Sequence, residues 1–146
     1  MILYLDSSAL AKRYLSEEGS DEVERLVAEA EAVATSIITR VEISAALARA
    51  RRQKLLDGVA AAQLRALFAA HWGSLLRLSL LESTIERADS LAWELDLRGY
   101  DAVHLASALL WQEAIAEAPV LATYDKELWR AAQAVGVEAW PLKLEP

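Results

Sequence analysis

Cysteine is absent from the 146 residues, which removes disulfides, thiol catalysis and thiolate-ligated zinc. Only two histidines occur, His71 and His104, so a histidine-rich metal site is excluded as well. Glycine and proline are sparse, with five and three copies, and no repeat, linker or low-complexity segment interrupts the chain. No apolar run approaches the ~20 residues that a membrane-spanning helix needs. The opening MILYL is too short for the apolar stretch of a secretory leader and is cut off by Asp6. These absences predict a soluble, cytoplasmic protein whose chemistry uses a hard metal ion or none. The 55% hydrophobic content argues against disorder, and the length predicts a single domain over residues 1–146.

The net charge of −7 speaks against a broadly basic nucleic-acid surface, because counterion release requires Lys and Arg facing phosphates. A cluster of carboxylates adds to that negative count, yet it becomes an electropositive phosphate site once a divalent cation enters. Basic residues near such a cluster must then supply the remaining contacts.

Apolar periodicity alternates between strand and helix along the chain. Ile2 to Leu5 is a short run of strand formers, followed by Ser7, Ser8 and the helical stretch ALAKRYL. SDEVE from Ser20 has the form of a helix cap, and Val23, Leu26, Val27 and Ala30 share one stripe of a helix reaching about Glu31. AVATS then reads as a strand. Ser36 is expected to cap a long helix through Ile38, Val41, Ala45 and Ala48, with Glu42 in its second turn and the basic RARRQK at its negative end. Asp57 and Gly58 break this pattern, and a further helix carries Leu64, Leu67, Phe68 and His71 until Gly73. LLRL is a weaker strand candidate. From Glu82 to about Leu97 an amphipathic helix turns Ile85, Ala88, Ala92 and Leu95 inward and ends near Gly99. Asp101 starts a helix, AVHLASALLW, that is apolar nearly all round and therefore central or at a subunit interface. PVLAT is a buried strand, DKELWRAAQAV a helix closed by Gly136, and VEAW a last strand. Such alternation implies a parallel sheet covered on both faces, with ligands bound beyond the carboxyl ends of the strands.

Four acids, Asp6, Glu42, Asp101 and Asp125, stand where apolar segments end or helices begin. Carboxylates are hard oxygen ligands suited to Mg²⁺ or Mn²⁺. Each also has a plain structural reading. Asp6, Asp101 and Asp125 suit helix N-termini, and Glu42 can sit solvated at the edge of a stripe or pair with Arg49. Their joint occurrence beside segments that should be buried is what points to a metal site.

The segments YLDSSALAKRYLSEEGS, TRVEISAAL, RGYDAVHLASALL and VLATYDKELWRAAQAVGVEAW, in that order, resemble the PIN-domain ribonuclease toxins of the VapC type over essentially the whole chain. The resemblance implies a three-layer α/β/α fold with a five-stranded parallel sheet in order 3-2-1-4-5, so that the first and fourth strands are neighbours. It implies that Asp6, Glu42, Asp101 and Asp125 form a catalytic quartet binding Mg²⁺, with Mn²⁺ as a substitute. Metal held there would polarise an RNA phosphodiester while one carboxylate orients water for in-line attack, leaving a 3′-hydroxyl and a 5′-phosphate. The implied partners are RNA, a cognate antitoxin and a second copy of the chain. Ser7 and Thr123 match hydroxyl residues beside the quartet or serve as ordinary turn and cap residues. Arg98 is either a phosphate contact or a surface cation, and His104 a core histidine bonded to a carboxylate or a catalytic group. Asp96 is expected to be solvated, and Trp72, Trp93, Trp111, Trp129 and Trp140 to serve core or interface. Arg49, Arg51, Arg52, Lys54, Lys12 and Arg13 are candidates for RNA backbone contacts.

Two enzymatic rivals fit poorly. A haloacid-dehalogenase-like phosphatase wants an acid where Ser8 stands, and a receiver domain wants one where Ser79 follows the mid-chain strand. The alternative from another class is a PIN-like binding module without catalysis.

Overall fold

Strand β1, Ile2–Leu5, is buried along its whole length, as expected of the middle of a parallel sheet. The computed structural model describes residues 1–144. Beside β1 lie β2 (Ala32–Ser36) and β4 (Val120–Ala122), with β3 (Leu76–Leu78) and β5 (Glu138–Trp140) at the edges. All neighbours pair in parallel, in the order β3-β2-β1-β4-β5, with Leu3 opposite both Val33 and Val120. The expected strand order is borne out.

The two-residue period of β1 divides the interior into two cores. Ile2 and Tyr4 face helices α5 (Glu82–Leu95), α6 (Gly99–Ile115) and α7 (Lys126–Ala134), where Leu91, Leu105 and Leu128 pack. Leu3 and Leu5 face α1 (Ser7–Ala11), α3 (Thr39–Arg52) and α4 (Gly58–His71), where Leu10, Ile43 and Phe68 pack. Helix α2 (Ser20–Glu29) adds Leu26 and Val27 to this second core. Helix α6 buries residues around most of its circumference, and its all-round apolar sequence marks it as central.

Several local expectations are corrected. The ALAKRYL helix ends at Ala11, because the chain tightens into three-residue turns from Lys12 to Tyr14. Ser20 does not cap α2. The cap is Gly19 in the left-handed region, while the Ser20 hydroxyl accepts from the Glu17 N–H and donates to the Leu15 carbonyl. Ser36 likewise does not cap α3, which begins at Thr39 with Ile38 at the cap and Glu42 in the first turn. Thr39 instead meets the Thr35 hydroxyl at 2.7 Å, and Thr35 sits 2.7 Å from the Leu5 carbonyl, so the start of α3 is pinned to the sheet.

The inward stripe of α3 is Thr39, Ile43, Leu47 and Ala50, with Val41 and Ala45 exposed. The larger Ile43 and Leu47 take the core and rotate the small residues outward. Ile85 and Leu67 are also exposed, while Leu91 and Phe68 are buried. Among the described residues no helix is long and apolar enough to cross a membrane.

Candidate active site

The carboxyl ends of β1 and β4 feed directly into the N-termini of α1 and α7, and the N-terminus of α6 and the first turn of α3 meet them there through side-chain contacts. Asp6 follows β1, caps α1 through the Ala9 N–H at 2.8 Å, and extends the ladder by donating its own N–H to the Ala122 carbonyl. Its carboxylate also accepts from the Ser8 hydroxyl at 2.8 Å and the Thr123 hydroxyl at 2.7 Å. Only 3% of Asp6 is exposed. Burial pushes its carboxyl above the ordinary range, and His104, the Ala9 N–H and the two hydroxyls offset part of that rise.

Thr123 and Ser8 tie the β4 end to the β1 end. The Thr123 hydroxyl accepts from the Asp125 N–H at 3.0 Å, and the Ser8 hydroxyl from the Tyr124 N–H at 2.8 Å. Asp125 then caps α7, one carboxylate oxygen accepting from the Glu127 and Leu128 N–H groups at 2.9 and 3.1 Å. Its other oxygen accepts from Arg98, which also donates through Nε to Asp101 at 2.9 Å. Asp101 is 8% exposed. Burial and the nearby Asp125 raise its carboxyl, while Arg98 pulls it back down.

Glu42 reaches this end of the sheet from α3. It accepts from the Ser7 hydroxyl at 3.1 Å and from His104 Nε2 at 2.7 Å. His104 is buried one turn after Asp101, and its Nδ1 lies 2.9 Å from the hydroxyl of the buried Tyr4. A carboxylate can only accept, so His104 donates through Nε2 to Glu42 while its Nδ1 pairs with the Tyr4 hydroxyl. His104 is thus a core histidine bonded to a carboxylate.

Three of the four acids share one hydrogen-bond network, and the fourth, Glu42, sits in a separate cluster. Asp6 connects to the Asp125 backbone through Thr123 and Asp125 to Asp101 through Arg98, while Glu42 touches Ser7, the residue after Asp6, and His104, three residues after Asp101. Sequence reasoning missed Ser8, whose hydroxyl bridges Asp6 and Tyr124, and Tyr4. A signal for Tyr4 exists in the sequence, since a tyrosine at a central strand position needs a buried hydroxyl partner.

As they lie, no three Asp, Glu or His side chains among the described residues stand close enough together to enclose an ion. The donor chemistry nevertheless fits Mg²⁺ or Mn²⁺. All four groups are hard carboxylate ligands, two of them are buried with carboxyls raised by burial, and a cation, Arg98, already bridges two.

Of the basic candidates, two are committed elsewhere. Lys12 donates to the Glu18 carbonyl at 2.6 Å and lies over the Tyr124 ring, and Arg13 pairs with Glu24 at 3.0 Å. Arg51, together with Arg40 and Arg65, lines a groove of about 490 Å³ between α3 and α4, and none of the four acids is among its lining residues. The segment Thr39–His71 holds six of the fifteen Lys and Arg but two of the twenty-two Asp and Glu, so it carries +4 in a chain of −7. Trp72 and Trp111 are core residues, Trp129 and Trp140 are half-buried, and Trp93 is 89% exposed.

The model of the PIN domain matches residues 3–134. The chain belongs to the PIN-domain family. Ribonuclease VapC45 of Mycobacterium tuberculosis (strain CDC 1551 / Oshkosh) is 33% identical over 145 residues, covering 99% of each chain. Among solved structures, the PIN fold of this chain is similar to that of VapC20 of M. tuberculosis, described as a Sarcin-Ricin loop cleaving toxin. The TM-score is 0.65 at 17% identity, over 94% of this chain and 96% of that one. A toxin-antitoxin complex from Klebsiella pneumoniae gives a TM-score of 0.61 at 19% identity, over 84% of this chain and 86% of that one. The last two likenesses concern the PIN fold alone.

Proposed function

We propose that this protein is a divalent-metal-dependent endoribonuclease, the toxin of a type II toxin-antitoxin pair acting in the cytoplasm. The observation that carries the reading is the network linking Asp6, Asp101 and Asp125 at the carboxyl ends of β1 and β4, with Glu42 held beside it by Ser7, which follows Asp6, and His104, one turn after Asp101. Membership of the PIN family and likeness to a named ribonuclease support it.

These four residues would hold Mg²⁺ or Mn²⁺. When bound, such an ion supplies the positive charge that polarises a phosphodiester and makes water acidic enough to attack near neutral pH. The rest falls to the chain itself. Ser8, Thr123 and the Ala9 N–H fix both oxygens of Asp6, so that carboxylate is preorganised. Tyr4 and His104 do the same for Glu42 from beneath. The basic segment Thr39–His71 draws the RNA backbone toward an otherwise acidic molecule.

The partners in this reading are RNA, a small cognate antitoxin that blocks the acidic site, and a second copy of the chain. Growth of a host on induction tests it. The parent arrests growth, Glu42→Gln does not, and co-expression of the antitoxin encoded beside this gene restores growth and copurifies. Arrest by Glu42→Gln as complete as by the parent overturns the reading. Metal binding without RNA cleavage by the parent favours the binding module instead.

A further inference from the structure

Arg98 is the N-cap residue of α6, and its guanidinium reaches across to two different elements. Nε donates to one oxygen of Asp101 on α6 at 2.9 Å, and Nη2 to one oxygen of Asp125 at the start of α7. The second oxygen of Asp125 is already spent on the backbone N–H groups of Glu127 and Leu128. The oxygen that Arg98 holds is therefore the one Asp125 has left for any other cation. Arg98 has no other polar contact among the described residues, and its side chain is 70% exposed.

We propose that Arg98 is a built-in counterion that occupies the place of the divalent ion between Asp101 and Asp125 and must release both before they ligate metal. This rests on the metal-dependent reading of the site. A lysine would not serve equally, because the planar fork matches two carboxylates at once whereas an ammonium is a point charge. The arginine side of the pair can leave readily, since its side chain is mostly exposed and already faces water, whereas the two carboxylates it leaves are largely buried and gain a replacement cation in the metal. Without Arg98 the two acids would face each other with no shared cation, which in the metal-free protein costs Coulomb energy. Arg98 thus keeps the metal-free site assembled and lowers the apparent metal affinity, as any competing closed state does.

Mn²⁺ titrated calorimetrically into metal-free parent, Arg98→Gln and Arg98→Lys, at one ionic strength and pH, tests this. Arg98→Gln is expected to bind Mn²⁺ about tenfold tighter than the parent, the factor for a closed state populated about ten to one. Arg98→Lys should fall between them, and in chelator Arg98→Gln should melt below the parent. Equal or weaker Mn²⁺ binding by a folded Arg98→Gln overturns the counterion role while leaving the metal site standing. Failure of both parent and Arg98→Gln to bind millimolar Mn²⁺ removes the metal site and the counterion role together.

Discussion

Replacing Asp6 by Asn should raise thermal stability in chelator and abolish the stabilisation that metal gives the parent. Asn keeps the shape and can still cap α1, accepting from the Ala9 N–H as Asp6 does at 2.8 Å. Its amide can donate toward Thr123 and Ser8, whose hydroxyls turn to accept. What disappears is the buried charge. The folded environment disfavours that charge even with its donors counted, because burial outweighs them in setting the raised carboxyl. Removing strain stored at a functional site typically returns about 1 kcal/mol, or roughly 3 °C in Tm for a domain of this size. Metal at a hundred times its Kd stabilises the parent by about 2.7 kcal/mol, roughly 8 °C. The order of stability should therefore cross between EDTA and Mn²⁺.

The sign with pH follows from the same shift. A carboxyl raised above its unfolded value binds its proton more tightly in the folded state, so its contribution to stability improves as pH falls through the folded pKa toward the ordinary 3.8. In chelator, the gap between variant and parent should therefore narrow on acidification. Melts of both proteins in EDTA and in Mn²⁺, at neutral pH and in steps downward, measure all of this. Equal metal-induced shifts in parent and variant would refute the reasoning, because Asp6 would then not be a ligand.

Purified Glu42→Gln and Asp101→Asn should remain folded and lose RNA cleavage, whereas Asp125→Asn should lose less, since one of its oxygens is spent on the α7 cap. A loss for Asp125→Asn as complete as for Asp101→Asn would overturn that ranking. Tyr4→Phe leaves the buried Nδ1 of His104 without its partner, at a cost of about 1–3 kcal/mol in chemical denaturation and roughly tenfold in cleavage rate through Glu42. An unchanged rate would mean that His104 does not position Glu42. Gly19→Ala should destabilise by about 1–3 kcal/mol, because Gly19 has φ of +88° and an added Cβ would stand 2.3 Å from the Tyr124 hydroxyl. A neutral effect in denaturant melts would show that Tyr124 yields freely.

Most of the architecture was legible because the central strands are short apolar runs and several helices have a clear break. Asp57–Gly58 and Gly136 are such breaks, and both fall where the structure turns. Helix phase was less legible. In α3 both Val41–Ala45 and Ile43–Leu47 are apolar pairs at one-turn spacing, and only the depth of the core decides which faces in. Caps failed at Ser20 and Ser36 because a serine hydroxyl has several backbone partners within reach and local sequence does not rank them. The four acids were legible as residues at element ends. The linkage of Asp6, Asp101 and Asp125 through Thr123 and Arg98 was not, since it joins side chains up to 117 positions apart in the sequence.

The most direct measurement is the product of the reaction. Single-stranded RNA incubated with purified parent and with Asp6→Asn, each in Mg²⁺ and in EDTA, is analysed for cleavage and for the chemistry of the new ends. Metal-assisted attack by water predicts cuts by the parent in Mg²⁺ alone, with 3′-hydroxyl and 5′-phosphate ends. Cleavage that persists in EDTA or in Asp6→Asn, or products ending in 2′,3′-cyclic phosphate, would contradict it.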